Sequence, residues 1–166
     1  YNDVSALETA FAEHGDEIAA VITEASPGNM GVVPPAAGFT KALRDITTKH
    51  GALLVSDEVM TGWGRTGRLW ACDHAGIAPD ILCTSKGLTG GAIPLAATLA
   101  TEAIFAAHWS EDRSRTFFHS SSYTANPIAC AAGLANVRIW EAGGMQPVLD
   151  RVSGTVRVTS AAVAGS

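Results

Sequence analysis

Residues 80–95 read DILCTSKGLTGGAIPL, and this stretch decides the predicted fold. The apolar run at 81–83 is typical of a short strand buried in a parallel sheet. Three glycines then fall between residues 87 and 91, which predicts a turn. Lys86 stands where the strand ends and the turn begins. We therefore expect its side chain to point into a site instead of into open water.

Other apolar runs on both sides of this stretch predict further strands. They cover residues 18–23 (IAAVIT), 52–56 (ALLVS) and 94–100 (PLAATLA). A continuous run of branched residues is typical of a strand with both faces covered, and we expect this of residues 18–23. Residues 26–38 are rich in glycine, proline and alanine, with one asparagine, and are predicted to form a long loop.

Helical spacing and cap residues predict helices between these strands. Ser5 and Glu8 match a capping box that opens the first helix, and Asn126 with Pro127 opens the last. The predicted helices cover residues 5–15, 39–49, 101–109 and 126–141. Several positions of the last helix are predicted to lie in the core: Ile128, Ala132, Ala135, Ile139 and Trp140.

Strands that alternate with helices predict an α/β fold, with a mainly parallel sheet and helices on both faces. Ligands of such sheets bind beyond the carboxyl ends of the strands. The first predicted strand ends at Glu24, and the second at Asp57 and Glu58. The third leads to Lys86. We expect these carboxylates and this amine to meet at one edge of the sheet.

Length and composition indicate one water-soluble globular domain. The chain has 166 residues, 47% of them hydrophobic, and a net charge of −5, which gives no electrostatic reason to expect nucleic acid or a membrane surface as a partner. The most apolar segment, 90–109, is broken by Pro94 and Glu102, so no membrane span is expected. The three cysteines lack CxxC spacing, so we expect no disulfide, no metal site and a cytoplasmic location. The chain starts at Tyr1, and we expect it to belong to a longer protein.

Lys86 and Asp57 together suggest carbonyl chemistry. A neutral lysine amine attacks a carbonyl carbon, and an aldehyde cofactor such as pyridoxal phosphate supplies one. A fixed aspartate that keeps the ring nitrogen of this cofactor protonated completes the electron sink. Asp57, at the end of a buried strand, suits that role. The simpler alternative is a solvated Lys86 beside a turn, with Asp57 capping local amides.

Two loops carry further candidate residues. TGWGRTG (61–67) matches GxGxxG, but no periodic helix follows it, so we reject a dinucleotide site. Its glycines are expected to shape a loop that brings Arg65 near the site; a solvated loop charge is the alternative. FFHSSSYTANP (117–127), with Ser120 to Ser122 and His119, precedes a helix start. That placement suits either a phosphate site or a plain capping loop.

Two long motifs carry a family resemblance: LLVSDEVMTGWGRTGRLWACDHAGIAPDILCTSKGLTGGAIPL and TFFHSSSYTANPIACAA. Residues 51 to about 141 resemble the class III, pyridoxal phosphate-dependent aminotransferases. Within that family they are most similar to the adenosylmethionine-dependent branch of biotin synthesis, which makes 7,8-diaminopelargonic acid. The resemblance implies part of the large domain of a fold-type I enzyme, pyridoxal 5'-phosphate as cofactor, and a homodimer.

The resemblance also implies roles for individual residues. Lys86 forms the Schiff base with the cofactor and later carries a proton, and Asp57 contacts the pyridine nitrogen. Ser122 binds the phosphate across a dimer interface. Arg65 lies near the substrate pocket, and Glu24 matches a glutamate that pairs with a substrate-binding arginine. The implied substrates are a small-molecule amino donor and a keto or aldehyde acceptor.

Residues 1–50 resemble a different branch of the same family, the glutamate-1-semialdehyde 2,1-aminomutases of tetrapyrrole synthesis. AAVITEASPGNMGVVPPAAGF carries this second resemblance. Both branches share HGALLVSDEVMTG, so we hypothesise a hybrid chain joined near residues 50–62. The part that contains Lys86 sets the predicted activity, and the aminomutase is the alternative.

Members of this family are considerably longer than this chain. We therefore interpret residues 1–150 as a partial cofactor-binding large domain and leave residues 151–166 unassigned. A parallel sheet without its neighbouring strands has open edges and uncovered apolar faces, which favours aggregation. The rival hypothesis is therefore a catalytically silent fragment.

Overall fold

The computed structural model describes residues 1–119 and 121–154. Its sheet has four strands in the order β1-β2-β3-β4. β1, β2 and β3 run parallel, and β4 pairs antiparallel with β3. The predicted α/β fold with a mainly parallel sheet is confirmed. The strands are β1 Ala20–Glu24, β2 Leu53–Asp57, β3 Ile81–Thr84 and β4 Ala97–Ala100.

The α-helices lie close to the predicted ranges. They are α1 Val4–His14, α2 Phe39–His50, α3 Glu102–His108 and α4 Pro127–Glu141. Residues 146–154 are also helical. None of the helices in the described ranges is long and apolar enough to cross a bilayer.

The N-terminal cap of α1 was predicted at the wrong residue. Asp3, not Ser5, is the N-cap, because the Asp3 carboxylate accepts a hydrogen bond from the Ala6 N–H at 2.8 Å. α4 begins as predicted, with the Asn126 side chain accepting from the N–H groups of the second and third helical residues.

The two faces of the sheet differ in how they are covered. α2 packs on one face, where Phe39, Leu43 and Leu54 form the core and Val21 packs against it. On the opposite face Ile22 is 71% exposed. The expectation that the first strand is buried on both faces is therefore wrong for the described residues. Ile22 is exposed because side chains alternate along the strand. The face turned to α2 is covered, and Ile22 points away from it.

α4 packs through a different stripe from the predicted one. Its buried residues are Ala129 and Gly133, whereas Ile128 is 70% and Ile139 53% exposed. The helix lies against the 3₁₀ turn Lys86–Thr89. A Cβ added at Gly133 would stand 3.1 Å from the Leu95 side chain. Such a close approach selects small residues. Of the predicted core positions, Ala132 and Trp140 are half-buried, and the prediction is wrong for Ile128, Ala135 and Ile139, which are exposed.

Candidate active site

Two carboxylates lie side by side at the carboxyl ends of β1 and β2. Glu24 and Asp57 are register partners, and Asp57 is also the register partner of Cys83 on β3. Side chains in register on neighbouring strands share a face of the sheet. The three residues, each half-buried, therefore form a row on the face opposite α2. The structure thus brings Glu24 and Asp57 together, as expected.

Backbone amides orient both carboxylates. The Val59 N–H donates to Asp57 Oδ1 at 2.9 Å, and the Gly28 N–H donates to Glu24 Oε2 at 3.2 Å. An anchored carboxylate keeps its direction, which is what a partner for a fixed ring nitrogen requires. For Glu24 the same bond also ties β1 to the start of the loop that follows it.

Lys86 opens a 3₁₀ turn, three residues beyond Cys83. Its φ of +42° is in the left-handed region, which residues other than glycine rarely adopt. Its side chain is exposed and lines a cavity of about 240 Å³ together with Arg65. Trp63, Trp140 and Met145 line the same cavity. The structure thus brings Lys86 and Arg65 to one cavity, which Asp57 and Glu24 do not line.

Hydrogen bonds from two hydroxyl side chains near Lys86 connect this region to residues further along the chain. Ser85 Oγ donates to the Leu95 carbonyl at 2.7 Å, and Thr89 Oγ1 donates to the Ile93 carbonyl at 2.6 Å. Both bonds tie the turn to the chain that leads into β4. The backbone on both sides of Lys86 is therefore bonded to residues that follow it in the sequence.

Two side chains from outside the turn hold it as well. Asn136 of α4 donates through Nδ2 to the carbonyls of Gly87 at 2.9 Å and Leu88 at 3.1 Å. The Trp63 indole N–H donates to Thr84 Oγ1 at 2.8 Å. A Cβ added at Gly87 would stand 2.6 Å from Trp63 Cβ, so only glycine allows this approach.

Glu58 organises the loop that carries Trp63 and Arg65. Its side chain is 0% exposed. It accepts hydrogen bonds from Thr61 Oγ1 at one end of the loop and from the N–H groups of Ala71, at 2.9 Å, and Cys72, at 2.8 Å, at the other. One carboxylate thus closes the loop 61–72, and the N–H donors match its negative charge.

The environment of Cys72 follows from the same carboxylate. Burial, followed by the charge of Glu58 and a hydrogen bond to it, raises the pKa of the Cys72 thiol to about 12. Reactive cysteines require the opposite shift. Cys72 is therefore a structural thiol beneath the loop.

Ser122 lies apart from the other candidate residues. It is in an exposed turn, residues 122–125, directly before α4. The cavity that contains Lys86 is lined by other residues. Ser120 lies outside the described residues. His119 stacks its ring on Phe117, with centroids 5.9 Å apart.

The sequence predicts no role for Trp63 or Asn136. Its prediction that Glu58 meets Asp57 and Lys86 at the sheet edge is wrong, because the Glu58 carboxylate is buried and bonded to the 61–72 loop. A signal existed for Asn136, because it falls on one helical face with Ala129, Gly133 and Trp140, where a polar residue needs a partner. Glu58 follows Asp57 directly, and alternation along a strand sends two such neighbours to opposite sides. Trp63 gave no comparable signal.

Comparison with known proteins identifies the family. The profile described as Aminotransferase class-III matches residues 2–158. The chain belongs to this family. Class III aminotransferases depend on pyridoxal phosphate. A curated member, the adenosylmethionine-8-amino-7-oxononanoate aminotransferase of Anoxybacillus flavithermus, is 46% identical over 142 residues, which is 83% of this chain and 31% of that protein.

Solved aminotransferase structures share the fold of the chain. A Bacillus anthracis aminotransferase matches 95% of the chain with a TM-score of 0.82 and 31% identity. An amine transaminase from an uncultivated Pseudomonas species, solved in the PLP-bound internal aldimine form, matches 86% with a TM-score of 0.78 and 40% identity. The chain spans 34% and 33% of these two proteins, so it is about a third of their length.

Proposed function

We propose that this chain carries the cofactor-binding centre of a pyridoxal phosphate-dependent transamination, as a partial large domain over residues 1–150. The observation that carries the proposal is the placement of Asp57 and Lys86. An anchored carboxylate ends β2, and an amine in an ordered turn follows the adjacent strand β3. Membership of the class III family supports the same assignment.

The donor set fits pyridoxal phosphate. When bound, this cofactor withdraws electrons from the carbon that carries the amino group of the substrate. Lys86 Nζ, in its neutral form, supplies the amine that holds the cofactor and afterwards carries a proton. Asp57, which ends β2 and whose Oδ1 is fixed by the Val59 N–H, would pair with the pyridine nitrogen and favour its protonated form.

Three other residues complete the proposed site. Arg65 shares the cavity of Lys86 and offers a guanidinium to an anionic part of the substrate. Glu24 lies beside Asp57 and is proposed to pair with a substrate-binding arginine of the complete enzyme. Ser122, exposed before α4, is proposed to donate its hydroxyl to the cofactor phosphate of a second subunit in a homodimer.

The proposed substrates are those of the biotin branch, an adenosylmethionine donor and 8-amino-7-oxononanoate as acceptor. The 46% identity to the Anoxybacillus flavithermus protein supports this choice. The alternative within the family is the aminomutase reaction on glutamate-1-semialdehyde, which residues 1–50 resemble. Amino transfer should be measured with both substrates, in the chain joined to the remaining domains. Turnover of the semialdehyde alone would reverse the choice.

The first experiment tests cofactor capture. The chain is mixed with pyridoxal phosphate, its absorbance is recorded, and borohydride then fixes any carbon–nitrogen double bond for peptide mapping. We expect label on Lys86 and its loss in Lys86→Ala. Lys41 and Lys49, the other lysines of the chain, are internal controls. Equal labelling of the three lysines would instead identify a catalytically silent fragment, which the short span relative to the relatives also favours.

Two further parts of the proposal have separate tests. A cytoplasmic location and a homodimer are proposed from the composition and the family. Analytical ultracentrifugation with and without the cofactor checks the dimer, and a monomer under both conditions would contradict it. The hybrid junction near residues 50–62 stays a prediction. Separate comparison of residues 1–50 and 63–141 tests it, because a shared first match would contradict a junction.

A further inference from the structure

The left-handed backbone at Lys86 needs a physical reason. A lysine with φ of +42° is strained, and strained residues persist only where their surroundings restrain them. Glycine would adopt the same conformation without strain. A lysine at this position therefore indicates that the direction of its side chain matters for function.

The restraints come from both sides of Lys86. Before it, Thr84 is 2% exposed and its hydroxyl accepts the indole N–H of Trp63. After it, the successive carbonyls of Gly87 and Leu88 accept both bonds of the Asn136 amide. Relaxation of φ at Lys86 would move at least one of these partners. The left-handed conformation is thus held by two side chains that are distant in sequence.

The elements that carry the two restraining side chains also contact each other, through Trp140. Trp63 packs edge-on against Trp140, with ring centroids 5.9 Å apart. Trp140 follows Asn136 by four residues on α4, so the two lie on one face of that helix. The loop closed by Glu58 supplies Trp63, and α4 supplies the other two. The turn is therefore clamped between a loop and a helix.

From this arrangement we infer that Trp63 and Asn136 are positioning residues, which hold Lys86 in its left-handed conformation and so aim its amine into the site. The inference rests on the proposed role of Lys86 as the cofactor-binding lysine. Neither residue is proposed to touch the reacting atoms. They act through the backbone at Thr84 and at Gly87 and Leu88.

The test compares two lysines within the same molecule, Lys86 and Lys49. Trp63→Phe removes the indole N–H and keeps an aromatic ring, and Asn136→Leu keeps the bulk and removes the donors. Each folded variant is treated with trace isotopic acetic anhydride without cofactor, and separately with pyridoxal phosphate and borohydride. Mass spectrometry gives the ratio of label on Lys86 to label on Lys49, which is exposed at the end of α2.

Two control variants separate positioning from general loss of stability. Trp109→Phe makes the same change at a tryptophan that is 77% exposed. Leu43→Val weakens the core beneath α2, away from the turn. A merely structural role would change the labelling ratio in Leu43→Val as much as in the two test variants. If Asn136→Leu does not fold, Trp63→Phe carries the test alone.

We expect the ratio of Lys86 to Lys49 label to change in both test variants, with cofactor capture falling about three- to tenfold, the factor that one or two net hydrogen bonds are worth. The control variants should match the unmodified chain. Unchanged ratios in both test variants, with Lys86 still preferred in the unmodified chain, would overturn the positioning role and leave the proposed function intact. An unmodified chain without preference for Lys86 would overturn the proposed function and this inference with it.

Discussion

The turn that carries Lys86 and the segment that carries Ser122 are opposites in how they are held. Asn136 of α4 binds the turn, Trp63 of the 61–72 loop binds the end of β3 just before it, and Ser85 bonds to the chain that leads into β4. Every described residue from 109 to 125 is exposed, including Trp109 at 77%, Phe118 at 75% and Tyr123 at 79%. The Lys86 part of the proposed site is therefore held by contacts within this chain, whereas the side chains around Ser122 are exposed to solvent.

The contrast separates two kinds of contribution to a site. Lys86 and Asp57 depend on bonds that the chain makes with itself, so substitutions around them change the stability of the fold. The described residues around Ser122 are exposed, so we expect substitutions near it to leave the stability of the isolated chain unchanged. The stability of the chain to denaturant measures this difference directly.

The largest expected effect is at Glu58. Glu58→Ala leaves buried donors at Thr61, Ala71 and Cys72 without their acceptor, and we expect a loss of about 3 kcal/mol in the free energy of unfolding. Urea denaturation measures it, with exposed Glu13→Ala as the control. A loss equal to that of the control would show that the 61–72 loop is not held as described.

Gly87→Ala is expected to cost about 2 kcal/mol, because the new Cβ overlaps Trp63 and the turn must shift. The matched control is Gly154→Ala, where an added Cβ meets open space. Denaturation of the two variants side by side decides the point. Equal stabilities would mean that Trp63 does not press on the turn.

The thiol of Cys72 gives a prediction for alkaline solution. Its pKa is 9.0 in the unfolded chain and about 12 in the folded one, so between these values only the folded state holds the proton. The stabilisation is complete below pH 9 and is lost as the pH rises towards 12, by at most about 1.4 kcal/mol per pH unit. Cys72→Ala should flatten this decline relative to Cys130→Ala. Parallel pH profiles would contradict the raised pKa.

Removing the Lys86 side chain tests the backbone conformation itself. We expect Lys86→Gly to be more stable than Lys86→Ala by about 1 kcal/mol, since glycine adopts positive φ without strain. At Lys41, inside α2, the order should reverse, because glycine disfavours a helix. Thermal melts of the four variants give both differences. If alanine were more stable than glycine at both positions, strain at Lys86 would be ruled out.

The smallest effect is expected in the exposed segment. Phe118→Ser and Tyr123→Ser should each change the free energy of unfolding by no more than about 0.5 kcal/mol, because these rings are already in water. Urea denaturation at low protein concentration checks this in the isolated chain. A loss comparable to that of Gly87→Ala would show that the segment packs within the chain, and the contrast with the Lys86 turn would disappear.

The sequence sufficed for the strands and for the edge of the sheet at which the proposed site lies. Apolar runs and their terminal charges are local signals, and they placed Glu24, Asp57 and Lys86 at the ends of adjacent strands. Arg65 was also expected near the site, because glycines on both sides of it indicated a shaped loop.

What the sequence did not reveal depends on how elements pack. The α4 stripe was read from its larger apolar residues, yet the helix packs through Ala129, Gly133 and Asn136, because the Lys86 turn comes close to its axis. The prediction that both faces of β1 are buried failed for a related reason. The branched side chain of Ile22 does not reveal whether another element packs over it. Distance between elements is not encoded in either local pattern.

Asp57 and Glu58 are consecutive residues with divided tasks. The Glu58 side chain is buried and its carboxylate accepts hydrogen bonds from the loop, while Asp57 remains half-buried at the open edge of the sheet. Because side chains alternate along an extended chain, one inserted residue would exchange inside and outside for everything after it. The residue that holds the loop and the residue proposed to bind the cofactor are therefore immediate neighbours in the sequence. A designer who grafts this site onto another sheet would have to move the dipeptide as a single part.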